Sequence, residues 1–211
     1  MDSIEKLTEL FREFPGIGPR QAKRFVYHLL SKEPRYIEEF IKLIALIKTE
    51  IHTCSSCFRL FNGSTSLTTG SSTKKDICPL CADATRDQSL LLIVEKDIDL
   101  ESIEKSHAYS GRYFVLGGTA PILEKEPEKM LRSRELVTRL EKEKGMVTEV
   151  ILAFSVNTEG ENTAEYIGKL LKPLETKNQF KISTLGRGFS TGSEVEYADS
   201  ETLKSALKNR I

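Results

Sequence analysis

Hydrophobic residues in the first fifty positions recur three or four residues apart, which is the spacing of one face of an α-helix. They form three stripes: Ile4, Leu7, Phe11 and Phe14; Ala22, Phe25, Val26, Leu29 and Leu30; and Ile37, Phe40, Ile41, Ile44 and Ile47. A segment of glycine and proline, residues 15–19, separates the first two stripes, and Pro34 separates the second from the third. The pattern predicts a small helical module.

The hydrophobic pattern changes from residue 90 onward. Four short apolar runs have the length of buried strands: Leu90–Val94, Tyr113–Leu116, Val150–Phe154 and Phe180–Leu185. Four other segments favour helices: Leu100–Ser106, Glu128–Lys144, Thr163–Leu171 and Ser200–Lys208. Because strands that alternate with helices form parallel sheets covered on both faces, this part of the chain is predicted to be an α/β domain.

Composition narrows the class of protein. The 211 residues include 31 Lys and Arg and 31 Asp and Glu, so the formal net charge is zero. This balance excludes a globally basic mode of nucleic-acid binding but leaves room for a local basic patch. The hydrophobic fraction of 39% is too high for a disordered chain. No segment has the apolar length of a membrane helix, and the acidic, amphipathic first residues do not resemble an export signal, so we expect a cytoplasmic protein.

A glycine-rich turn lies between the first two predicted helices. Gly16 and Gly18 permit a tight hairpin, and Pro19 suits the first turn of the next helix. The N–H groups at such a turn and helix start can bind an anion such as a backbone phosphate. Three cations follow on the second helix: Arg20, Lys23 and Arg24. The arrangement indicates that Gly16, Gly18 and these cations bind the DNA backbone. The alternative is an ordinary turn between two packed helices, with the charges solvated.

Four cysteines form two Cys-x-x-Cys pairs, Cys54 with Cys57 and Cys78 with Cys81. In a reducing compartment such pairs are more often metal ligands than disulfide partners. Four thiolates complete a tetrahedral zinc site and leave no position for water, so the zinc is expected to be structural. Redox dithiols or unliganded cysteines are the alternative, and His52 could compete as a ligand. The Ser/Thr/Gly-rich stretch Asn62–Thr73 between the pairs is predicted to be a mobile loop of unassigned role.

Acidic residues follow two of the predicted strands. Glu95, Asp97 and Asp99 follow the first strand, and Glu159 and Glu161 follow the third. The carboxyl ends of parallel strands form the usual ligand crevice of such sheets, and carboxylates there could hold Mg²⁺. Ordinary solvated acids are an equally good interpretation.

Six features in one order carry a resemblance to a known family: the segments 15–20, 110–118, 148–153, 159–161 and 196–199 together with the four cysteines. With them, the chain resembles the bacterial recombination mediator family RecR over nearly its whole length. The resemblance implies a helix-hairpin-helix in residues 1–53, a four-cysteine zinc finger in 54–82, a Toprim domain in 83–185 and a C-terminal tail that helps to join subunits in 186–211.

The resemblance also implies a function. Members of this family are non-catalytic mediators of recombinational repair that form ring-shaped homotetramers, clamp duplex DNA without reading its sequence, and act with RecO and RecF to load recombinase at gaps. Arg20 and Arg24 would then face DNA, and Glu95 and Asp99 match the Toprim acids implicated in contact with RecO. Such a protein would be associated with the nucleoid.

Two other functions fit part of the pattern. A Toprim domain also occurs in Mg²⁺-dependent nucleases and topoisomerases, which gives an enzyme as the alternative. A zinc-stabilised adaptor that never contacts nucleic acid is a third possibility. The chain also departs from the family pattern: Ser155-Val156 replaces an Asn-Pro, Thr119–Glu124 replaces a Ser-Pro-Leu-Asp-Gly-Ile segment, and Phe189–Ser193 replaces a turn richer in proline and glycine.

Overall fold

The computed structural model describes residues 2–63, 76–124, 126–186, 188–189 and 192–208. The chain divides into two compact units, Met1–Ile51 and His52–Ile211. The helices are α1 (Ser3–Arg12), α2 (Pro19–Leu30), α3 (Pro34–Glu50), α4 (Pro79–Ala82), α5 (Asp97–Ser106), α6 (Ser133–Lys142), α7 (Thr158–Asn178) and α8 (Ser200–Lys208). The strands are β1 (Ile51–Thr53), β2 (Leu60–Asn62), β3 (Asp87–Val94), β4 (Gly111–Val115), β5 (Glu149–Ala153) and β6 (Lys181–Thr184).

The smaller unit contains the three predicted helices. Asp2 caps α1, because its carboxylate accepts a hydrogen bond from the Glu5 N–H while the Glu5 carboxylate accepts one from the Asp2 N–H. Helix α2 begins with Pro19, whose missing N–H would have no partner in a first turn. Residues of α1 and α2 pack together, and the rings of Phe11 and Phe25 meet edge to face at 5.6 Å.

The apolar side of α3 stays exposed to solvent. None of its residues is buried, and Ile41, Ile44 and Ile47 are 61%, 52% and 58% exposed. The third predicted stripe therefore forms a helix in which Ile37 and Phe40 are half-buried, while the described part of the chain leaves the other three residues exposed. An apolar helical face of this size is the kind of surface that marks an interaction site.

The larger unit is built on a four-stranded parallel sheet in the order β4-β3-β5-β6. Successive side chains of β3 point to opposite faces. Leu91 and Ile93 enter a core with residues of α6 and α7, and Leu92 and Val94 pack with Leu100 of α5. Both faces of the sheet are thus covered, which confirms the predicted α/β class.

Three helices differ from the predicted bounds. Helices α5 and α7 begin at Asp97 and Thr158, before the predicted Leu100 and Thr163. Helix α6 begins at Ser133 rather than at the predicted Glu128, and residues Pro127–Lys129 before it form a 3₁₀ turn. Helix α7 continues through Pro173 to Asn178, whose buried side-chain amide donates to the Leu140 carbonyl. This contact and the burial of Leu174 hold the last turns in place, although proline removes one helical hydrogen bond. Among the described residues, no helix combines the length and hydropathy needed to span a bilayer.

Candidate metal centre and nucleic-acid interface

The four cysteines converge in the larger unit. Their sulfur atoms all lie within 4.8 Å of one another, and three of the four residues are buried. The sulfurs of Cys57 and Cys78 are 3.6 Å apart. In a tetrahedral site with Zn–S bonds of about 2.3 Å, neighbouring sulfurs are about 3.8 Å apart. The donor set therefore fits a structural metal ion with four sulfur ligands.

Local backbone structure brings the two cysteine pairs together. The first pair lies in a turn between β1 and β2, which form a two-stranded sheet. In this turn the Phe58 N–H donates to the Cys54 carbonyl at 2.9 Å, and Phe58 has a left-handed φ of 61°. Cys78 caps the short helix α4, on which Cys81 lies, and the Cys78 N–H donates to the sulfur of Cys54 at 3.3 Å.

The electrostatics of the cluster are those of a group of thiols that a bound cation would stabilise. Hydrogen bonds from the neighbouring thiols, that of Cys57 first, lower the pKa of Cys54. Hydrogen bonding with Cys54, together with burial and the nearby sulfur charges, raises the pKa of Cys57. Because one buried thiolate opposes the ionisation of the next, a divalent ion bound among the sulfurs would allow four thiolates to coexist.

Two sequence predictions near the cysteines concern His52 as a competing ligand and the segment Asn62–Thr73 as a mobile loop. His52 lies outside the group of candidate ligands, with its ring centroid 6.3 Å from that of Phe61. The predicted mobile loop Asn62–Thr73 falls, from residue 64 onward, outside the described residues.

The turn of the first cysteine pair is joined to the edge of the parallel sheet. The Val115 N–H in β4 donates to the Cys57 carbonyl at 2.8 Å. Arg139 of α6 donates from Nη1 to the carbonyls of Ser56 and Tyr113, at 3.0 and 2.8 Å. Arg132 contacts the Phe58 and Val115 carbonyls in the same way, at 3.3 and 3.0 Å.

This arginine network was not predicted from the sequence. Glu143 accepts two hydrogen bonds from Arg112 and one from the Nε of Arg139. The available signal was weak: Arg139 falls between Leu136 and Leu140 on the buried side of α6, where a charged residue requires partners.

The hairpin between α1 and α2 has the predicted conformation. Gly16 has a φ of +76°, a left-handed value that favours glycine, and the Ile17 N–H donates to the Phe14 carbonyl at 3.1 Å. Gly18 is extended and precedes Pro19 at the first position of α2. The backbone at the start of α2 is accessible, because Gly16 and Gly18 have no side chain and no other atoms fill the space where a Cβ would lie.

Helix α2 presents three cations to solvent. Arg20, Lys23 and Arg24 are exposed, and none forms an ion pair within the described ranges. Arg24 donates one hydrogen bond to a described residue, the Gln21 amide oxygen at 3.4 Å. In contrast, Arg12 on α1 pairs with Glu9 at 2.7 Å. The exposed face of α2 is therefore positively charged beside the N–H groups of the hairpin, an arrangement that can bind phosphate oxygens.

The acids at the sheet have partners of their own. Glu95 is buried and accepts hydrogen bonds from the N–H and hydroxyl of Ser155, at 2.7 and 3.2 Å. Asp99 accepts from the Lys96 N–H at the start of α5, and Asp97 accepts from the Leu60 N–H. In the part of the chain that the structure describes, only the cysteines form a group of three or more candidate metal ligands. The structure therefore gathers no carboxylate cluster for Mg²⁺ there.

Comparison with known proteins places these features in context. Residues 4–46 match the family model "RecR, helix-hairpin-helix", residues 89–186 match "Toprim domain", and residues 190–211 match "RecR, C-terminal". The chain is 35% identical to recombination protein RecR of Lactobacillus helveticus over 207 residues, which is 98% of this chain and 96% of that protein. It is also 35% identical to recombination protein RecR of Staphylococcus aureus over 209 residues, 99% of this chain and 96% of the relative.

Proposed function

Because the chain belongs to the RecR family, which supports a role in recombinational repair, we propose that it is a DNA-binding recombination mediator without catalytic activity of its own. The observation that carries the proposal is the hairpin of the smaller unit, where backbone N–H groups and unpaired cations lie side by side. Gly16 and Gly18 form the turn, and Arg20, Lys23 and Arg24 supply the charge. Such contacts bind phosphates and carry no sequence information, so duplex and gapped DNA of any sequence are the proposed ligands.

The proposed working form is a homo-oligomer, a tetrameric ring that clamps DNA. One copy offers only three unpaired cations on α2, and several copies around one duplex raise the effective concentration of each site for its phosphates. The exposed apolar face of α3, with Ile41, Ile44 and Ile47, supports association with a second copy. Contact between the α3 faces of two copies would remove these side chains from water.

The proposed partners are RecO and RecF, as the family resemblance implies. Glu95 and Asp99 are the proposed RecO contacts, and they lie at the carboxyl end of β3 and the start of α5. Because Glu95 is buried beneath Ser155, its role in such a contact would be to hold the Ser155 backbone while Asp99 and the start of α5 provide the exposed surface. A protein with these partners would act in the bacterial cytoplasm, at the nucleoid.

The proposed cofactor is one zinc ion per chain, held by Cys54, Cys57, Cys78 and Cys81. Sulfur ligands in a closed tetrahedral set favour zinc over oxygen-seeking cations such as Mg²⁺. When bound, the ion would fix the turn between Cys54 and Cys57. That turn is joined to β4 by hydrogen bonds from the chain's own N–H and guanidinium groups to backbone carbonyls.

DNA binding is tested by fluorescence anisotropy with a labelled duplex and a gapped duplex, each in two unrelated sequences. The variant Arg20→Glu with Arg24→Glu should lose binding at moderate salt and keep its metal content and thermal midpoint. The matched control is Lys169→Glu with Lys172→Glu on α7, where both lysines are exposed and paired with acids of their own helix.

The outcomes separate the proposed functions. Retained binding by the α2 variant at moderate salt, or equal loss in the control, would overturn the hairpin assignment. Cleavage of either duplex in the presence of Mg²⁺ or Mn²⁺, lost in Glu95→Gln, would instead identify a Toprim enzyme. A wild-type chain that binds no DNA at low salt would indicate a protein adaptor.

A further inference from the structure

A groove with a volume of about 470 Å³ lies between the turn of the first cysteine pair and helix α6. One wall carries Ser55, Ser56 and Phe58, and the other carries residues of α6 from Arg134 to Glu143. Both walls belong to the larger unit. The groove is thus separate in sequence from the hairpin between α1 and α2, and neither the metal ligands nor the Toprim acids line it.

Two cations and a threonine line the groove in a regular row. Arg134, Thr138 and Lys142 are four residues apart along α6, so their side chains share one face of the helix. All three are exposed, and neither cation forms an ion pair with a residue for which the structure gives a position. Eight residues of helix span about 12 Å.

The floor of the groove adds a buried cation. Arg139 is only 7% exposed, and its Nη2 has no hydrogen-bond partner among the described residues. Its other nitrogens donate to Glu143 and to the two carbonyls described above. Two carboxylates, Glu135 and Glu143, also line the groove, but Glu143 is already neutralised by both Arg112 and Arg139. Three cations, Arg134, Arg139 and Lys142, thus face two carboxylates, so the lining carries one positive charge in excess.

The other wall supplies hydroxyl donors. The hydroxyls of Ser55 and Ser56 make no hydrogen bond to any described residue, and Ser55 is exposed. Serine hydroxyls opposite unpaired cations suit the oxygens of a phosphate ester. The two cations of the row lie about 12 Å apart along the helix, which is too far for both to contact one phosphate group, so the row matches two phosphates of a DNA strand better than one isolated anion.

The aromatic residue in the groove does not favour base stacking. The Phe58 ring packs edge to face on Phe114 at 5.4 Å, and the Arg132 guanidinium lies 5.5 Å from its centre. Proteins that hold single strands stack bases on exposed aromatic rings. The groove offers cations and hydroxyl groups, and its aromatic ring is already packed against other side chains, so it favours the backbone of a duplex over unpaired bases.

We propose that this groove is a second contact site for the phosphodiester backbone of duplex DNA, formed by Arg134 and Lys142 with Ser55 and Ser56. The inference rests on the proposed DNA-binding function and adds a surface to it. The contact is sequence-independent. The wall with the serines is held by the hydrogen bonds from Arg139 to the Ser56 carbonyl and from the Val115 N–H to the Cys57 carbonyl.

The test is the salt dependence of duplex binding by the full, metal-loaded chain. Each phosphate contact contributes about 0.9 to the slope of log K against log salt, so Arg134→Ala with Lys142→Ala should lower the slope by up to about 1.8 for every sequence tested. Lys169→Ala with Lys172→Ala, which removes paired cations, should leave the slope unchanged. Arg134→Lys with Lys142→Arg keeps both charges and should retain the wild-type slope. Unchanged metal content and thermal midpoint would exclude misfolding.

The results distinguish this inference from the function on which it rests. If the slope is unchanged in the α6 variant while the Arg20/Arg24 variant loses binding, the groove is not a DNA contact and the hairpin assignment stands. A wild-type chain that binds no duplex would overturn both. Pyrophosphate is the second probe: if it shifts the amide resonances of Arg134 and Lys142 as strongly as the duplex does, the groove holds a small phosphate ligand and the backbone assignment is wrong.

Discussion

Removal of Arg139 tests whether the metal-binding turn and the parallel sheet form one structural unit. In Arg139→Ala the carbonyls of Ser56 and Tyr113 lose their donor, while Glu143 keeps both hydrogen bonds from Arg112. No buried carboxylate is therefore left without a cation. The cost comes from the two unsatisfied acceptors and the space left by a side chain that is 7% exposed.

The expected cost follows from those losses. A buried polar group without its partner costs about 1–3 kcal/mol, so two carbonyls give about 2–6 kcal/mol of lost unfolding free energy. That is a large part of the 5–15 kcal/mol of a typical domain. Arg139→Met keeps most of the apolar volume but none of the donors, and should lose nearly as much stability as Arg139→Ala if hydrogen bonding dominates.

The assay is urea unfolding of the metal-loaded chain, followed by circular dichroism, together with the rate of metal transfer to a chromogenic chelator. Arg134→Ala is the matched control, because this arginine is on the same helix but exposed, and its unfolding free energy should change by no more than about 0.5 kcal/mol. Arg139→Ala should also release metal faster, since Ser56 lies between two of the ligands. Equal stability and equal metal release in the two variants would refute the coupling.

Three further predictions concern the hairpin, the metal and pH. Gly16→Ala should cost about 1–2 kcal/mol in urea unfolding because Gly16 has a φ of +76°, whereas Gly18→Ala at a φ of −82° should cost less; equal costs would contradict the hairpin conformation. Chelation, or acidification that protonates the cysteine ligands, should release about one zinc per chain and lower the thermal midpoint, and a fully stable metal-free chain would exclude a structural metal. Burial raises the pKa of Tyr113, so folding favours its neutral form: the stabilisation is complete below the ordinary tyrosine pKa of about 10 and declines as the pH rises above it. Tyr113→Phe should therefore flatten the fall in unfolding free energy above pH 10, and an unchanged slope would show that Tyr113 does not contribute.

Local signals in the sequence were sufficient for much of this fold. The buried runs that became β3 and β5 contain continuous apolar residues, which is typical of strands covered on both faces. The cysteine spacing predicted the cluster, and the glycines of the hairpin predicted its turn, because both depend on residues close together in the chain.

Other features depend on contacts between distant segments. Arg139 binds a carbonyl 83 positions before it, and Arg132 binds one 74 positions before it, so neither role has a local signature. The start of α6 at Ser133 follows from the same cause, since the Arg132 N–H donates to the Leu116 carbonyl at the end of β4. The partners of Glu95 could not be predicted either, because the Ser155 N–H and hydroxyl meet it only when β3 and β5 pair.

The most direct test of the central claim is native mass spectrometry of the full chain, alone and with a short duplex. A closed clamp that binds the phosphate backbone predicts an oligomer, a tetramer in the form proposed, with about one zinc per chain, which gains one duplex and loses it when Arg20 and Arg24 are replaced by glutamate. A single polypeptide that remains monomeric and binds no duplex at low salt would contradict the account.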